Sequence, residues 1–151
     1  MSKSKQARKN GDKRTTSGRA VKDSTDNLLM VWRFDSIDRD GCFRFDVSRE
    51  DFNAEFILEK IIEYSRREWI RIKSDTHDNN RSKHHYIRHA ELSAEAWERI
   101  RAKRLDDHLD GLFSLALDNK IRVLGIRERE FFRVIWYDPE HRFCPSHLRN
   151  T

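Results

Sequence analysis

The chain has few cysteines and no long apolar run, and each absence excludes a class of protein. Its 151 residues include only two cysteines, Cys42 and Cys144, which lie far apart in the sequence. This spacing indicates no disulfide framework and is typical of a reducing compartment. No stretch approaches the ~20 apolar residues that a membrane-spanning helix needs, and the N-terminus lacks the apolar core of a secretion signal. We therefore expect a cytoplasmic protein with no membrane partner.

Large apolar side chains are also missing at the start of the chain. Between Ser2 and Asn27 the only one is Val21, and residues 1–27 carry eight lysines and arginines against three aspartates. Such a segment cannot bury enough apolar surface to offset the entropy lost on ordering. The composition predicts a disordered basic arm over residues 1–27, followed by a single domain over residues 28–148.

The basic charge of the chain is concentrated in this arm. The whole chain has a formal net charge of +5, and the arm alone accounts for it, so the domain is close to neutral. The arm can hold nucleic acid or a ribosome through counterion release, without reading sequence. It can equally be a solubilising tail, and the sequence leaves both interpretations open.

The domain itself alternates strand and helix patterns. The Asp40-Gly41 step between Leu28–Phe34 and Cys42–Val47 predicts a β-hairpin, and Leu112–Phe143 reads as three short strands separated by turns. Two helices are expected between them. Strands grouped with helices to one side indicate an α+β fold with a mainly antiparallel sheet, formed by an N-terminal hairpin and a C-terminal meander packed against two helices.

The two helices have recognisable starts. The first is expected over residues 48–67, where Ser48 and Asp51 resemble a capping box. The second is expected over residues 93–104, with Ser93 at its N-cap and basic residues in its last turn. The stretch from Trp69 to Ile72 reads as extended or as a helix end.

The C-terminal meander carries the residues best suited to chemistry. Its pattern predicts arginines on one face, aliphatic side chains on the other, and the segment Tyr137-Asp-Pro-Glu-His141 at the edge of the sheet. This segment brings a phenol, a carboxylate and an imidazole beside the arginines. A sheet with a basic face and titratable groups at its edge suits the handling of RNA.

A family resemblance rests on this same region. Segments Leu112–Leu117 and Ile121–Ile126, the apolar strand Phe131–Tyr137 and the tail Asp138–Thr151 resemble the RelE/HigB/ParE superfamily of small toxins. With the preceding helix, the resemblance covers roughly the last third to two-fifths of the chain. Residues Trp136–Ser146 also look like the ending of a group of uncharacterised bacterial and phage-encoded proteins.

The resemblance implies a metal-independent endoribonuclease or translation inhibitor that acts on mRNA, uses no cofactor and is neutralised by an antitoxin protein. On that model His141 is the first candidate for general acid or base, because an imidazole transfers protons near neutral pH. Tyr137 and Asp138 are its candidate partners, with Asp138 orienting the imidazole. The candidate phosphate ligands are Arg122, Arg133 and Lys120, since cationic side chains stabilise the charge of the phosphorane. Asp138-Pro139 also favours a plain turn, which His141 would then merely follow.

A second basic cluster precedes the second helix. If Lys83-His-His-Tyr-Ile87 is a strand, Lys83, His85 and Ile87 share one face, whereas a helix would place His85 beside His89. Lys83 and His85 are candidate RNA or phosphate ligands, with a solvated surface as the alternative. A metal site is not favoured, because a zinc site needs more ligands and the cysteines lack CxxC spacing.

Three functions remain open at this point. The first is a RelE-like toxin, and the second is a non-catalytic protein that binds RNA or the ribosome through the arm and the sheet. The third is a bacterial or phage accessory protein whose sheet edge pairs with a strand of a partner protein.

Overall fold

The computed structural model of the protein describes residues 25–77 and 79–145, so most of the predicted arm (residues 1–24) lies outside the described residues. The elements, in chain order, are β1 (Val31–Arg33), α1 (Ala54–Ser65), α2 (Trp69–Ser74), β2 (His85–Tyr86), α3 (Ala94–Ala102), β3 (Leu112–Ala116), β4 (Arg122–Glu128) and β5 (Phe131–Asp138). Short 3₁₀ turns occur at Thr25–Asn27, His89–Glu91 and Asp106–Gly111.

One five-stranded sheet organises the domain, in the order β1-β5-β4-β3-β2. The pairs β2–β3, β3–β4 and β4–β5 are antiparallel, whereas β1 runs parallel to β5. The α+β class with a mainly antiparallel sheet is confirmed, and so is the C-terminal three-stranded meander. The sheet is mixed because β1, the first strand, pairs in parallel with β5, the last.

The predicted N-terminal hairpin is wrong. Val31 is in register with Phe131 of β5, and residues 42–47 form no strand beyond a bridge from Arg44 to Trp136. Asp38 explains the path of the chain, because its backbone N–H donates to the Ile135 carbonyl at 2.8 Å and its side chain is buried. The segment after β1 is therefore held along β5 and cannot fold back on β1.

Both faces of the sheet are covered, which corrects the expectation of helices on one side. Ile57 and Tyr64 of α1, with Trp69 and Ile72 of α2, belong to one apolar cluster, while Ile100 of α3 belongs to a second. The two clusters take alternate residues of β3, β4 and β5. The meander consequently has no open basic face, since β3 is buried along its whole length and β4 in all but its last residue.

A bulge in the meander lets two adjacent residues face the same cluster. The register shifts between Leu124 and Gly125, so that Ile135 and Trp136 both pack in the cluster that contains α3. Gly125 is required there, because a Cβ atom at this position would lie 2.0 Å from the Arg133 carbonyl oxygen.

Local capping decides where the helices begin. The first helix starts later than predicted, because Asn53 caps it by accepting a hydrogen bond from the Phe56 N–H, while Ser48 bonds to the Asp46 carboxylate instead. The prediction for Ser93 is confirmed, since its Oγ accepts from the Ala96 N–H at 3.1 Å.

Candidate anion-binding cavity

A cavity of about 600 Å³ lies beside β2, the short strand at one edge of the sheet. The basic residues of its wall are Arg81, Lys83, Arg88 and Arg122, and the histidines are His77, His85 and His141. Among the described wall residues Glu91 is the one carboxylate. An excess of cationic and imidazole groups in a concave site favours an anionic ligand.

Strand β2 positions two of these side chains. His84 points into the protein and is almost fully buried, with its Nδ1 accepting from the Ala116 N–H at 3.0 Å. Because side chains alternate along an extended segment, Lys83 and His85 project the other way. Both line the cavity, as the strand interpretation of this segment requires.

His84 is held neutral by its surroundings. Burial lowers its pKa to about 4, although a hydrogen bond of 3.2 Å between Nε2 and the Asp75 carboxylate favours the charged form. Asp75 is itself paired with the Arg67 guanidinium, which lowers the pKa of this carboxyl. Since Nδ1 accepts a hydrogen bond, the proton of the neutral ring resides on Nε2. His84 therefore anchors the strand rather than entering the cavity.

Arg122 stands at the start of β4 and forms another part of the wall. Its guanidinium donates to the carbonyl oxygens of Asp118, Asn119 and Ile121 at 2.8–3.3 Å. The side chain is nearly buried, so these bonds fix its position and close the turn between β3 and β4. Arg122, one of the phosphate ligands predicted from the sequence, thus provides a fixed positive charge at the cavity.

His141 enters the wall from the turn after β5. Both carboxylate oxygens of Asp138 accept backbone N–H bonds, from Arg142 at 2.9 Å and Phe143 at 2.8 Å, and so close this turn. Burial raises the pKa of Asp138. His141 adopts a φ of 56°, in the left-handed region that few residues other than glycine occupy. Such backbone strain is frequent at binding and catalytic sites.

The other sequence-predicted residues lie elsewhere. Tyr137 is fully buried, its hydroxyl donates to the Asp51 carbonyl, and burial raises its pKa to about 12. Arg133 is paired with Glu128 at 3.0 Å, and the exposed Lys120 with Glu140 at 2.7 Å. None of the three is a described part of the cavity wall. Their proposed roles in catalysis and phosphate binding stay predictions, as does that of Asp138.

Three basic or imidazole residues of the cavity wall were not predicted from the sequence. His77 and Arg81 come from a polar loop closed by a hydrogen bond from the His77 N–H to the Arg81 carbonyl, and Arg88 precedes a 3₁₀ turn. Their proximity to His141 depends on the pairing of β2 with β3, which no local pattern reveals. Over residues 25–77 and 79–145, no group of three or more His, Cys, Asp or Glu side chains is arranged to hold a metal ion.

Comparison of the chain with protein-family models, with curated proteins and with solved structures yields no match. The chemistry of the site is therefore inferred from its own residues. Within the part of the chain that the structure describes, no helix has the length and apolar character needed to cross a membrane.

Proposed function

We propose that the protein binds RNA in this cavity and cleaves it as a metal-independent endoribonuclease. The observation that carries the proposal is the meeting, in one cavity, of four cationic side chains with three imidazoles. Phosphodiester groups are the anions that arginine and lysine bind in RNA, and imidazoles supply the proton transfers that strand cleavage needs.

The proposed roles follow from position. Lys83 binds the phosphate beside the fixed positive charge of Arg122, and Arg81 and Arg88 extend the positive wall beyond the sequence-predicted ligands. His141 is the proposed proton-transfer group, since the turn presents its imidazole at the cavity. We place this activity in the cytoplasm, on free or ribosome-bound mRNA, with an antitoxin protein as the regulatory partner that the RelE-like resemblance implies.

A second candidate is a non-catalytic protein that binds RNA or the ribosome through the same cavity. The side-chain contacts of Tyr137 and Asp138 favour this candidate. The Tyr137 hydroxyl donates to a backbone carbonyl, and the Asp138 carboxylate accepts from two backbone N–H groups. Two of the three predicted catalytic residues thus have a structural task, while the cationic wall remains.

The proposed cavity predicts a charge-dependent loss of RNA binding. We expect the double variant Arg81→Gln/Arg88→Gln to bind single-stranded RNA about tenfold more weakly, with the slope of log K against log salt reduced by about 1.4. Fluorescence anisotropy with a labelled oligonucleotide measures both. Arg101→Gln/Arg104→Gln is the matched control, because it also removes two positive charges, and these exposed arginines are not described parts of the wall. Equal losses in both variants would contradict binding at the cavity.

Cleavage is tested with end-labelled mRNA, free and on programmed ribosomes. His141→Gly is the informative variant, because glycine tolerates the left-handed backbone of this position. We expect it to bind RNA and to cleave it roughly 100-fold more slowly or worse. RNA that the wild-type protein binds but leaves intact would support the non-catalytic candidate instead.

A further inference from the structure

His85 carries a hydrogen bond that determines which of its ring nitrogens is free for chemistry. Its Nδ1 lies 3.0 Å from the backbone carbonyl oxygen of Tyr86. A carbonyl oxygen only accepts hydrogen bonds, so Nδ1 is the donor and carries the proton of the neutral ring. The lone pair of the neutral imidazole is then on Nε2, the arrangement that a general base requires.

The surroundings of His85 set it apart from its neighbours His84 and His89. It is half-buried and lines the cavity with His141, whereas His84 is fixed inside the protein and the exposed His89 is not a described part of the wall. Lys83, on the same side of the strand, lines the same cavity. The cavity thus holds the imidazoles of His77, His85 and His141, and Lys83 lies beside that of His85 on the same side of β2.

We propose that His85 is the general base of RNA cleavage and that His141 is the general acid, an inference that rests on the proposed ribonuclease function. His85 Nε2 takes the proton of a ribose 2′-hydroxyl while the 2′-oxygen bonds to the adjacent phosphorus. The bond from phosphorus to the 5′-oxygen breaks, and the imidazolium of His141 protonates that oxygen. The products are a 2′,3′-cyclic phosphate and a 5′-hydroxyl end, and no oxidant, metal ion or other co-reactant is consumed.

The origin of the nucleophile limits the substrates that can be cleaved. The nucleophile belongs to the RNA itself, so the nucleotide on the 5′ side of the scissile phosphate must have a 2′-hydroxyl. A single 2′-deoxynucleotide at that position should block cleavage without weakening binding. DNA of the same sequence should bind through its phosphates and remain intact.

The deciding variant is His85→Asn, whose side-chain amide can keep the hydrogen bond to the Tyr86 carbonyl but offers no basic nitrogen. We expect its RNA affinity to stay within about twofold of wild type and its cleavage rate to fall roughly 100-fold or more. The acidic limb of the pH–rate profile should disappear, because that limb reports the base losing its proton. His89→Asn removes a neighbouring imidazole and should leave rate and profile unchanged.

A second variant distinguishes loss of the base from loss of the folded structure. His85→Gly leaves room for exogenous imidazole, which should restore cleavage in proportion to its concentration if Nε2 acts as the base. Cleavage by His85→Asn at the wild-type rate, or a 5′-phosphate product end, would overturn the role of His85 alone. Intact RNA with the wild-type protein would overturn the proposed ribonuclease function and, with it, the role of His85.

Discussion

Replacement of Asp38 by alanine is expected to lower the free energy of unfolding by about 3–5 kcal/mol. The buried Asp38 carboxylate accepts two bonds from the Arg99 guanidinium, at 2.8 and 2.9 Å, and one from the Trp136 indole at 2.9 Å. Burial acts to raise the pKa of Asp38, but these donors and the Asp40 N–H outweigh it and lower the pKa. Alanine would leave a largely buried guanidinium and an indole N–H without their acceptor.

Urea denaturation at pH 7 measures this effect. Asp35→Ala is the matched control, because it breaks an ion pair of similar length, 2.7 Å to Arg33, between two exposed side chains. That variant should keep the wild-type midpoint, since exposed ion pairs contribute little to stability. Equal shifts in the two variants would contradict the assignment of Asp38 as the residue that holds the segment after β1 along β5.

The second large effect is a loss of stability in mild acid. Burial lowers the pKa of His84 to about 4 in the folded protein, whereas a histidine of the unfolded chain titrates near 6.5. Between these values the unfolded chain binds more protons, so stability is fully present above pH 6.5 and falls as the pH drops towards 4. At 1.36 kcal/mol per pKa unit, His84 alone should remove roughly 3 kcal/mol over this window.

The contribution of His84 is isolated by comparison with a variant. In His84→Asn the amide oxygen can replace Nδ1 as acceptor for the Ala116 N–H, and nothing titrates at this position. The difference in unfolding free energy between the wild type and this variant should change by roughly 3 kcal/mol between pH 7 and pH 4. His108→Asn, which removes an exposed imidazole, serves as the control. A constant difference across the window would contradict the buried, neutral state of His84.

Local sequence patterns predicted most of the helices and strands, but they predicted less well how these elements pair and pack. The three strands of the meander and the cap at Ser93 depend on neighbouring residues, so the sequence shows them directly. The hairpin prediction failed because the alternation of Phe43 and Phe45 resembles a strand. In the folded protein these rings pack in opposite clusters, and Asp38 sets the path between β1 and α1.

The candidate site was predictable only in part, for the same reason. Arg122, His141, Lys83 and His85 were singled out from two separate stretches, and the fold places all four around one cavity. Tyr137 lies within β5, the strand that His141 follows, and the extended chain sends its ring into the core, where its hydroxyl donates to the Asp51 carbonyl. Sequence shows which residues can do chemistry, whereas strand pairing decides which of them share a site.

The most direct test of the central claim, that this cavity binds RNA, is a titration of the protein with a short single-stranded RNA followed by NMR of the histidine side chains. The imidazole signals of His77, His85 and His141 should shift together, with one dissociation constant that matches the affinity measured by anisotropy. Signals of His89 and His108, which are not described parts of the wall, should stay in place. Saturation of RNA binding without movement of the three cavity signals would contradict the account.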